Sequence, residues 1–532
     1  MKTYSPSIIQ AFANNEALGA GNFFFTLLES GVDQERLALQ LDEAVTLPDT
    51  SSTDTLSLSQ IKLWALSWAA WYENQGVKPK DPVGLYMADG VEYLVHFIAL
   101  TSIGAIPVAI NGALKENIVS QFLERVGAVL VMSSAERLHI LSPFFTIQNY
   151  DIRQVSVSDI NLTPAQPSKQ YYHQADDPIL LGHTSGTTGI PKAVQFNHHG
   201  FSFGVKQQLT KQVGSKVLSA LPHSHASDLS ILMSSLLRGA VIKIQASKEP
   251  ESLFSAIKQF QPDLFVSFPK VYVDLCRYEL DGYDLSSVSY WLSTGDANHE
   301  PHIKQLIQHG SHYYKGELRE GSIFIDNLGS SEFGYAAFRN IHRNGSEDYQ
   351  RCIGKPMEWV DVAILDEAGS ELGTNEVGYL GVKSESVTPG YWNNSLMSER
   401  NRLAGFWLTG DLAYVDDRGM YYHVDRVSDK VQTEQGVLFT CEVEELVLKH
   451  IPEIFECSVV GIEGEGEYQI PVILVEPKVQ IDCHKMLEKI NTLLAENNKP
   501  RISKVLLEAS QQNIGVTGKK LKRQLRDVLS EA

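Results

Sequence analysis

One unit recurs along the chain and fixes its architecture. An apolar helical stripe meets a glycine or proline turn, then a short unbroken run of Val, Ile, Leu or Phe. FLERVGAVLVMSS (122–134), LLRGAVIKIQA (236–246) and LFSAIKQFQPDLFVSFP (253–269) all follow it. A strand apolar on both faces needs cover on both faces, so the repeating unit implies parallel strands layered with helices. The spaced Leu, Trp and Ala residues from Leu56 to Asn74 predict an amphipathic helix. VGLYMADG predicts a strand entering a turn. FIALTSIGAIPVAI, Phe97 to Ile110, predicts a buried helix, turn and strand; it is short for a bilayer and contains Gly and Pro. SVSYWLSTGDA and GSIFIDNLGSSEFG run from apolar strands into polar turns. Such turns at strand ends build ligand crevices in open α/β sheets.

The chain's 532 residues exceed one ordinary core and predict two or three domains. Composition changes near Tyr421 to Lys430, which predicts a smaller α/β domain after about Ser428. A net charge of −19 opposes non-specific binding to nucleic acid and to anionic membranes. The five cysteines include no CxxC pair, which argues against structural zinc and fits a reducing, cytoplasmic setting. The first residues lack the basic and apolar segments of a secretory leader.

The stretch LGHTSGTTGIPKAVQF, Leu181 to Phe196, carries the chemistry. Apolar segments on both sides predict a turn between two strands rather than a linker. Gly186 and Gly189 permit tight backbone geometry, and Thr184, Ser185, Thr187 and Thr188 offer hydroxyls. Lys192 can neutralise phosphate. A Walker A loop needs GxxxxGK and then Ser or Thr; here the spacing is GxxGxxK and Ala193 follows. The residues leave phosphate binding and a structural Gly/Thr turn as rivals. Taken singly, Asp411 could be a capping aspartate, Arg426 a surface arginine, Glu332 a solvated loop residue and TGKKLKRQL a basic helical surface.

TSGTTGIPKA closely resembles the phosphate loop of the adenylate-forming superfamily of acyl- and aryl-CoA ligases, peptide-synthetase adenylation enzymes and luciferases. DNLGSSEFG (326–334), RCIGKP (351–356), PGYWNN (389–394), FWLTGDLAYVDDRGMYYHVDR (406–426) and TGKKLKRQL (517–525) follow in the family's order. Leu328 replaces a usual aromatic residue, and Ser331 a usual threonine. The resemblance implies a large multi-layer N-terminal α/β fold over residues 1–426. A smaller mobile α+β C-terminal domain over 427–532 would carry the catalytic lysine and the thiol-acceptor surface.

It also implies that ATP and Mg²⁺ are bound. Thr184 to Gly189 and Lys192 would hold phosphates, and Asp326, Asn327 and Leu328 would shape the adenine region. Ser331 would contact the adenylate phosphate, Asp411 and Arg426 the ribose and phosphate, and Glu332 the Mg²⁺. Lys519 would stabilise charge as the acyl oxygen attacks. His225, in LPHSHASDLS, would order the acyl pocket or assist catalysis. Ala226 stands where amino-acid-activating relatives place a carboxylate, which argues against amino-acid substrates. Asp228 remains able to serve an amine.

The implied reaction converts a small carboxylic acid to acyl-AMP and then to a thioester with CoA. A phosphopantetheinylated carrier protein is the alternative acceptor. Ser428 departs from the usual hinge residue. Gln435 stands where glycine is common, with Gly436 one position late, so adenylation is better supported than CoA acceptance. A noncatalytic adenylate-binding interaction module is the alternative of a different class.

Overall fold

The computed structural model describes residues 2–184, 189–296, 298–464, 466–507 and 522–530. The expected layering is present. Pro82–Tyr86, Ile106–Ile110, Leu130–Ser133, Arg153–Ser156 and Pro178–His183 are parallel neighbours in a six-stranded sheet. Helices Glu92–Ser102 and Glu116–Val126 connect successive strands, and the second ends on Gly127 in the left-handed conformation that favours glycine at a helix C-terminus. The helix foreseen after Leu56 spans Leu58–Asn74 and opens with a reciprocal cap between Ser57 and Gln60.

The sheet's last strand, Ala193–Asn197, runs antiparallel to Pro178–His183 and pairs Ala193 with His183. The strands on either side of the Thr/Gly segment are therefore the two arms of a hairpin at the sheet edge.

A second, 14-stranded sheet begins as a parallel array: Val241–Ile244, Lys216–Ser219, Leu264–Ser267, Tyr290–Thr294 and Ile323–Gly329 lie side by side. Past Ile323–Gly329 it becomes antiparallel, through Ala336–His342, Cys352–Pro356, Tyr421–Arg426 and Phe406–Val415. The helical periodicity that announced the parallel half is missing here, so this half was not foreseen. The almost fully buried helix Ala226–Arg238 belongs to the large apolar cluster that includes residues of both sheets. His225 caps it, accepting the Ser227 N–H on Nδ1.

After Val431 the chain builds a three-stranded sheet from Ile454–Glu463, Gln469–Pro477 and Lys504–Leu507. Helices Thr440–His450 and Cys483–Glu496 pack on it, and the residues form their own apolar cluster. Its contacts with the rest of the chain include several between charged groups. His299 bonds Glu445 at 2.7 Å, Lys449 meets Glu300 at 3.2 Å, and Arg277 pairs with Glu476. Asp425, fully buried, accepts the Thr440 N–H and, at 3.0 Å, its hydroxyl, and so caps helix Thr440–His450 from strand Tyr421–Arg426. The last described helix, Lys522–Ser530, seats Leu525 against Val460, Val472 and Leu474.

Candidate active site

A cleft of about 680 Å³ opens where Tyr290–Thr294 and Ile323–Gly329 end. It is closed on other sides by the hairpin at Thr184 and Lys192, by Phe406–Val415, and by helix Thr440–His450. Its size suits a drug-sized or nucleotide-sized ligand.

On one wall a short chain of polar contacts joins three segments that are far apart in sequence. Lys192 donates to the Tyr391 hydroxyl at 3.3 Å, and its ammonium lies 4.7 Å from that ring's centre. Tyr391 donates in turn to Glu332 Oε1 at 2.8 Å, while Ser330 donates to Oε2 at 3.0 Å. Burial, and then the Glu332 charge, push the Tyr391 phenol far above its usual range. It therefore stays a donor. Ser331 lies in the same turn as Glu332 and lines the cleft.

A second wall is built on strand register. Asp411 and Arg426 face each other across Phe406–Val415 and Tyr421–Arg426, and Arg426 Nε donates to Asp411 Oδ1 at 3.0 Å. His423 Nε2 donates to the same oxygen at 3.1 Å, and its Nδ1 accepts from Arg351. Both bonds suit a neutral imidazole protonated on Nε2. Burial and the Arg351 charge together lower the His423 pKa, in keeping with that form. Burial would raise the Asp411 carboxyl, but Arg426 and then His423 hold it well below the ordinary carboxylate range. Asp411 is thus a fixed anion.

The deep wall carries Asp326, Asn327 and Leu328 on one strand end. Asp326 accepts from Asn298 Nδ2 at 2.8 Å, and burial pushes its carboxyl up to about 7. Asn327 is locked by Arg339, whose Nε donates at 3.0 Å and whose other end holds Gln208. Thr184 accepts the Lys192 N–H at 3.3 Å and closes the neck of the hairpin. Gly189 adopts φ +107°, a left-handed conformation, and a Cβ there would meet open space. The constraint on Gly189 is therefore conformational. His225 stands edge-on to Phe268, 5.1 Å between ring centres, on the wall beside Ser227 and Ile231.

The structure thus gathers Thr184, Lys192, His225, Asp326, Asn327, Leu328, Ser331, Glu332, Asp411 and Arg426 around one cleft. Ser185, Gly186, Thr187, Thr188 and Lys519 lie outside the described residues. Lys522, three positions beyond Lys519, is largely covered and donates at 2.7 Å to both Glu444 and Thr440, so it is a structural cation rather than a free surface one. Sequence reasoning passed over Tyr391, His423 and Arg351 as individuals, although each stands inside a motif that it quoted. Nothing in a linear motif says that Tyr391 would meet Glu332 and Lys192.

The sequence model of the AMP-binding enzyme family matches residues 35–392. A 3-aminoavenalumate diazotase from a Streptomyces species is 34% identical over 97% of this chain and 96% of its own length. A 2-succinylbenzoate–CoA ligase from Bacillus cytotoxicus is 27% identical over 86% of this chain and 90% of its own. The crystal structure of the anthranilate CoA ligase AuaEII, bound to anthranoyl-AMP, superposes with a TM-score of 0.81 at 20% identity and covers 99% of both chains.

Proposed function

The chain belongs to the AMP-binding enzyme family, and from that premise we propose that it joins an acid to ATP as a mixed anhydride with AMP, releases pyrophosphate, and passes the activated group to an acceptor. With a carboxylic acid the intermediate is acyl-AMP, and with CoA as acceptor the product is a thioester, the reaction class named by the CoA ligases among its relatives. The observation that carries the reading is the pairing within one cleft of a hairpin lysine beside a tyrosine-held carboxylate, Lys192–Tyr391–Glu332, with a fixed anion and its arginine, Asp411–Arg426.

Lys192 supplies charge for the β- and γ-phosphates, Asp411 accepts from ribose hydroxyls, and Arg426 binds ribose or phosphate oxygen. Glu332 offers a carboxylate held by hydroxyl hydrogen bonds, a hard oxygen donor that suits Mg²⁺. Among the described residues no group of three or more His, Cys, Asp or Glu could cage a metal, which fits a cation that takes its other ligands from phosphate and water. When bound, Mg²⁺ would neutralise charge on the transferring phosphates.

Lys519 stabilises the attacking acyl oxygen, and no protein nucleophile is required. Residues 427–532 serve as the acceptor-presenting domain, moving against 1–426. The setting is cytoplasmic, in keeping with five free cysteines. No helix among the described residues is long and apolar enough to cross a membrane.

A second reading has an observation of its own: the diazotase matches end to end and at higher identity than the CoA ligase. Nitrite in the carboxylate's place would give nitrosyl-AMP by the same phosphoryl chemistry. An aromatic amine would attack its nitrogen and AMP would leave. The nitroso adduct would then move its remaining N–H proton to oxygen, take up there the proton released in the amine's attack, and lose that oxygen as water, leaving the diazonium ion. Gln435 stands where the resembled family commonly has glycine, and its side chain accepts the Arg501 N–H at 3.0 Å.

ATP–pyrophosphate exchange tests the first step, with aryl and alkyl acids and with nitrite as separate arms. Silence in every arm, from folded protein with Mg²⁺, would overturn adenylation. CoA, a phosphopantetheinylated carrier protein, and an aminobenzoate with nitrite then decide the acceptor. Lys519→Ala should abolish most exchange and leave ATP binding in place; an unchanged rate removes Lys519 from the reaction.

A further inference from the structure

Beside His225 lies a second cavity of about 20 Å³, room for one water or one small substituent. Its walls are mostly apolar, with Leu85, Phe97, Leu180, Leu229 and Leu232 among them, and His223, Ser224, His225 and Tyr93 also line it. His223 is 95% buried, and neither ring nitrogen has a partner among the described residues. A buried polar atom left unpaired costs roughly 1–3 kcal/mol, and here there are two.

The ring is not there by accident of packing. Its backbone N–H is pinned to Asp89 Oδ1 at 2.9 Å, and Asp89 also meets Lys248 at 3.5 Å. Lys248 is itself fixed by donation to the Gln245 and Ala246 carbonyls at 2.7 and 3.0 Å. Asp228, wholly buried, takes the Ser219 hydroxyl at 2.6 Å and keeps its second oxygen unpartnered among the described residues. The Asp89 bond thus fixes the backbone of His223 just ahead of helix Ala226–Arg238.

Burial, with the Lys248 charge nearby, keeps His223 well below the ordinary histidine pKa and therefore neutral. A neutral imidazole offers one donor and one acceptor. An anion would use only the donor, and an ammonium would meet no carboxylate in the cavity wall. A hydroxyl or an uncharged aromatic amine uses both.

We propose that this cavity is a substrate subsite, reached past His225, in which His223 reads a hydroxyl or primary aromatic amine on the ring of an aryl acid. The inference rests on the adenylation reading and names its substrate class. A site that hydrogen-bonds a substrate group rejects the analogue lacking it far more strongly than an apolar pocket rejects a missing methylene.

The test is ATP–pyrophosphate exchange with benzoate and cinnamate and with their amino- and hydroxy-substituted forms, in the wild type and in His223→Leu. The wild type should prefer at least one substituted acid tenfold or more in kcat/KM. His223→Leu should bring that preference close to one, leave the unsubstituted acid almost unchanged, and raise Tm by removing unpaired polar atoms. His223→Gln, which keeps a donor and an acceptor, should restore part of the preference. A wild type that does not discriminate, or a preference that survives His223→Leu, overturns the subsite while adenylation stands. A substitution that slows every acid alike marks His223 as structural and overturns it too. Exchange with none of these acids overturns the aryl-acid class, and the nitrite and alkyl arms show whether adenylation falls with it.

Discussion

Tyr391 is the residue on which the cleft's charged wall turns. A lysine and a glutamate at this spacing could pair directly, and a direct pair would hide both charges from a nucleotide. The phenol keeps them apart, bonding one as acceptor and the other as donor, and leaves each with capacity for a further ligand. Tyr391→Phe should preserve the ring beneath Lys192 and lose both bonds. Charge-assisted hydrogen bonds contribute roughly 1.5–3 kcal/mol, so adenylation should fall about 10- to 100-fold. The Mg²⁺ concentration for half-maximal exchange should rise with it, and a loss of rate without that rise would count against a role through Glu332.

The residue scale also shows where sequence was sufficient. Asp411 and Arg426 stood out in TGD and DR, and strand register sets them opposite each other. His423 did not, because its part depends on Arg351, 72 positions away.

At the scale of elements, periodicity decided what could be foreseen. Parallel strands flanked by helices announce themselves through alternating 3.6-residue stripes and short apolar runs, and Ile106–Ile110, Leu130–Ser133 and Leu264–Ser267 fall where those patterns end. The antiparallel half from Ala336 to Arg426 mixes buried and partly exposed positions without a regular period and interrupts its ladders with bulges near Gly329, Gly354 and Ala413, which blurs the pattern. The last helix was read as a basic helical surface or as the segment of the catalytic lysine, and neither reading singled out Leu525, which anchors it. Leu525→Ala should cost about 2–5 kcal/mol locally. Amide exchange should quicken in strands Ile454–Glu463 and Gln469–Pro477 and stay unchanged in Leu264–Ser267; equal loss in both would mean that the two regions unfold together.

Over the whole molecule, separate apolar cores meet across a charged seam. His299 is its titrating member. Burial alone would depress the imidazole, but Glu445 and Glu456 outweigh it and hold its pKa above the usual histidine value. Stability from a raised pKa is complete below the unfolded value near 6.5 and is lost as pH climbs through the folded one. The Arg351 charge opposes the two glutamates, while Lys478 and Arg277 act on the neighbouring His302. His299→Gln should therefore be less stable than the wild type at pH 6, with the gap in melting temperature narrowing toward pH 9. A gap independent of pH would deny His299 this part.

Arg526 has a consequence of another kind. Its guanidinium reaches the Ser428 carbonyl at 3.1 Å and Asp429 at 3.2 Å, and so closes a loop of 98 residues. For a flexible chain, bringing such ends together costs on the order of 4 kcal/mol in entropy, while two polar contacts return about 1 kcal/mol apiece. The clasp alone would spend most of its time open. It stays shut because Leu525, one residue earlier, has already surrendered its surface to the sheet, so the arginine needs only to choose where the ring of chain closes.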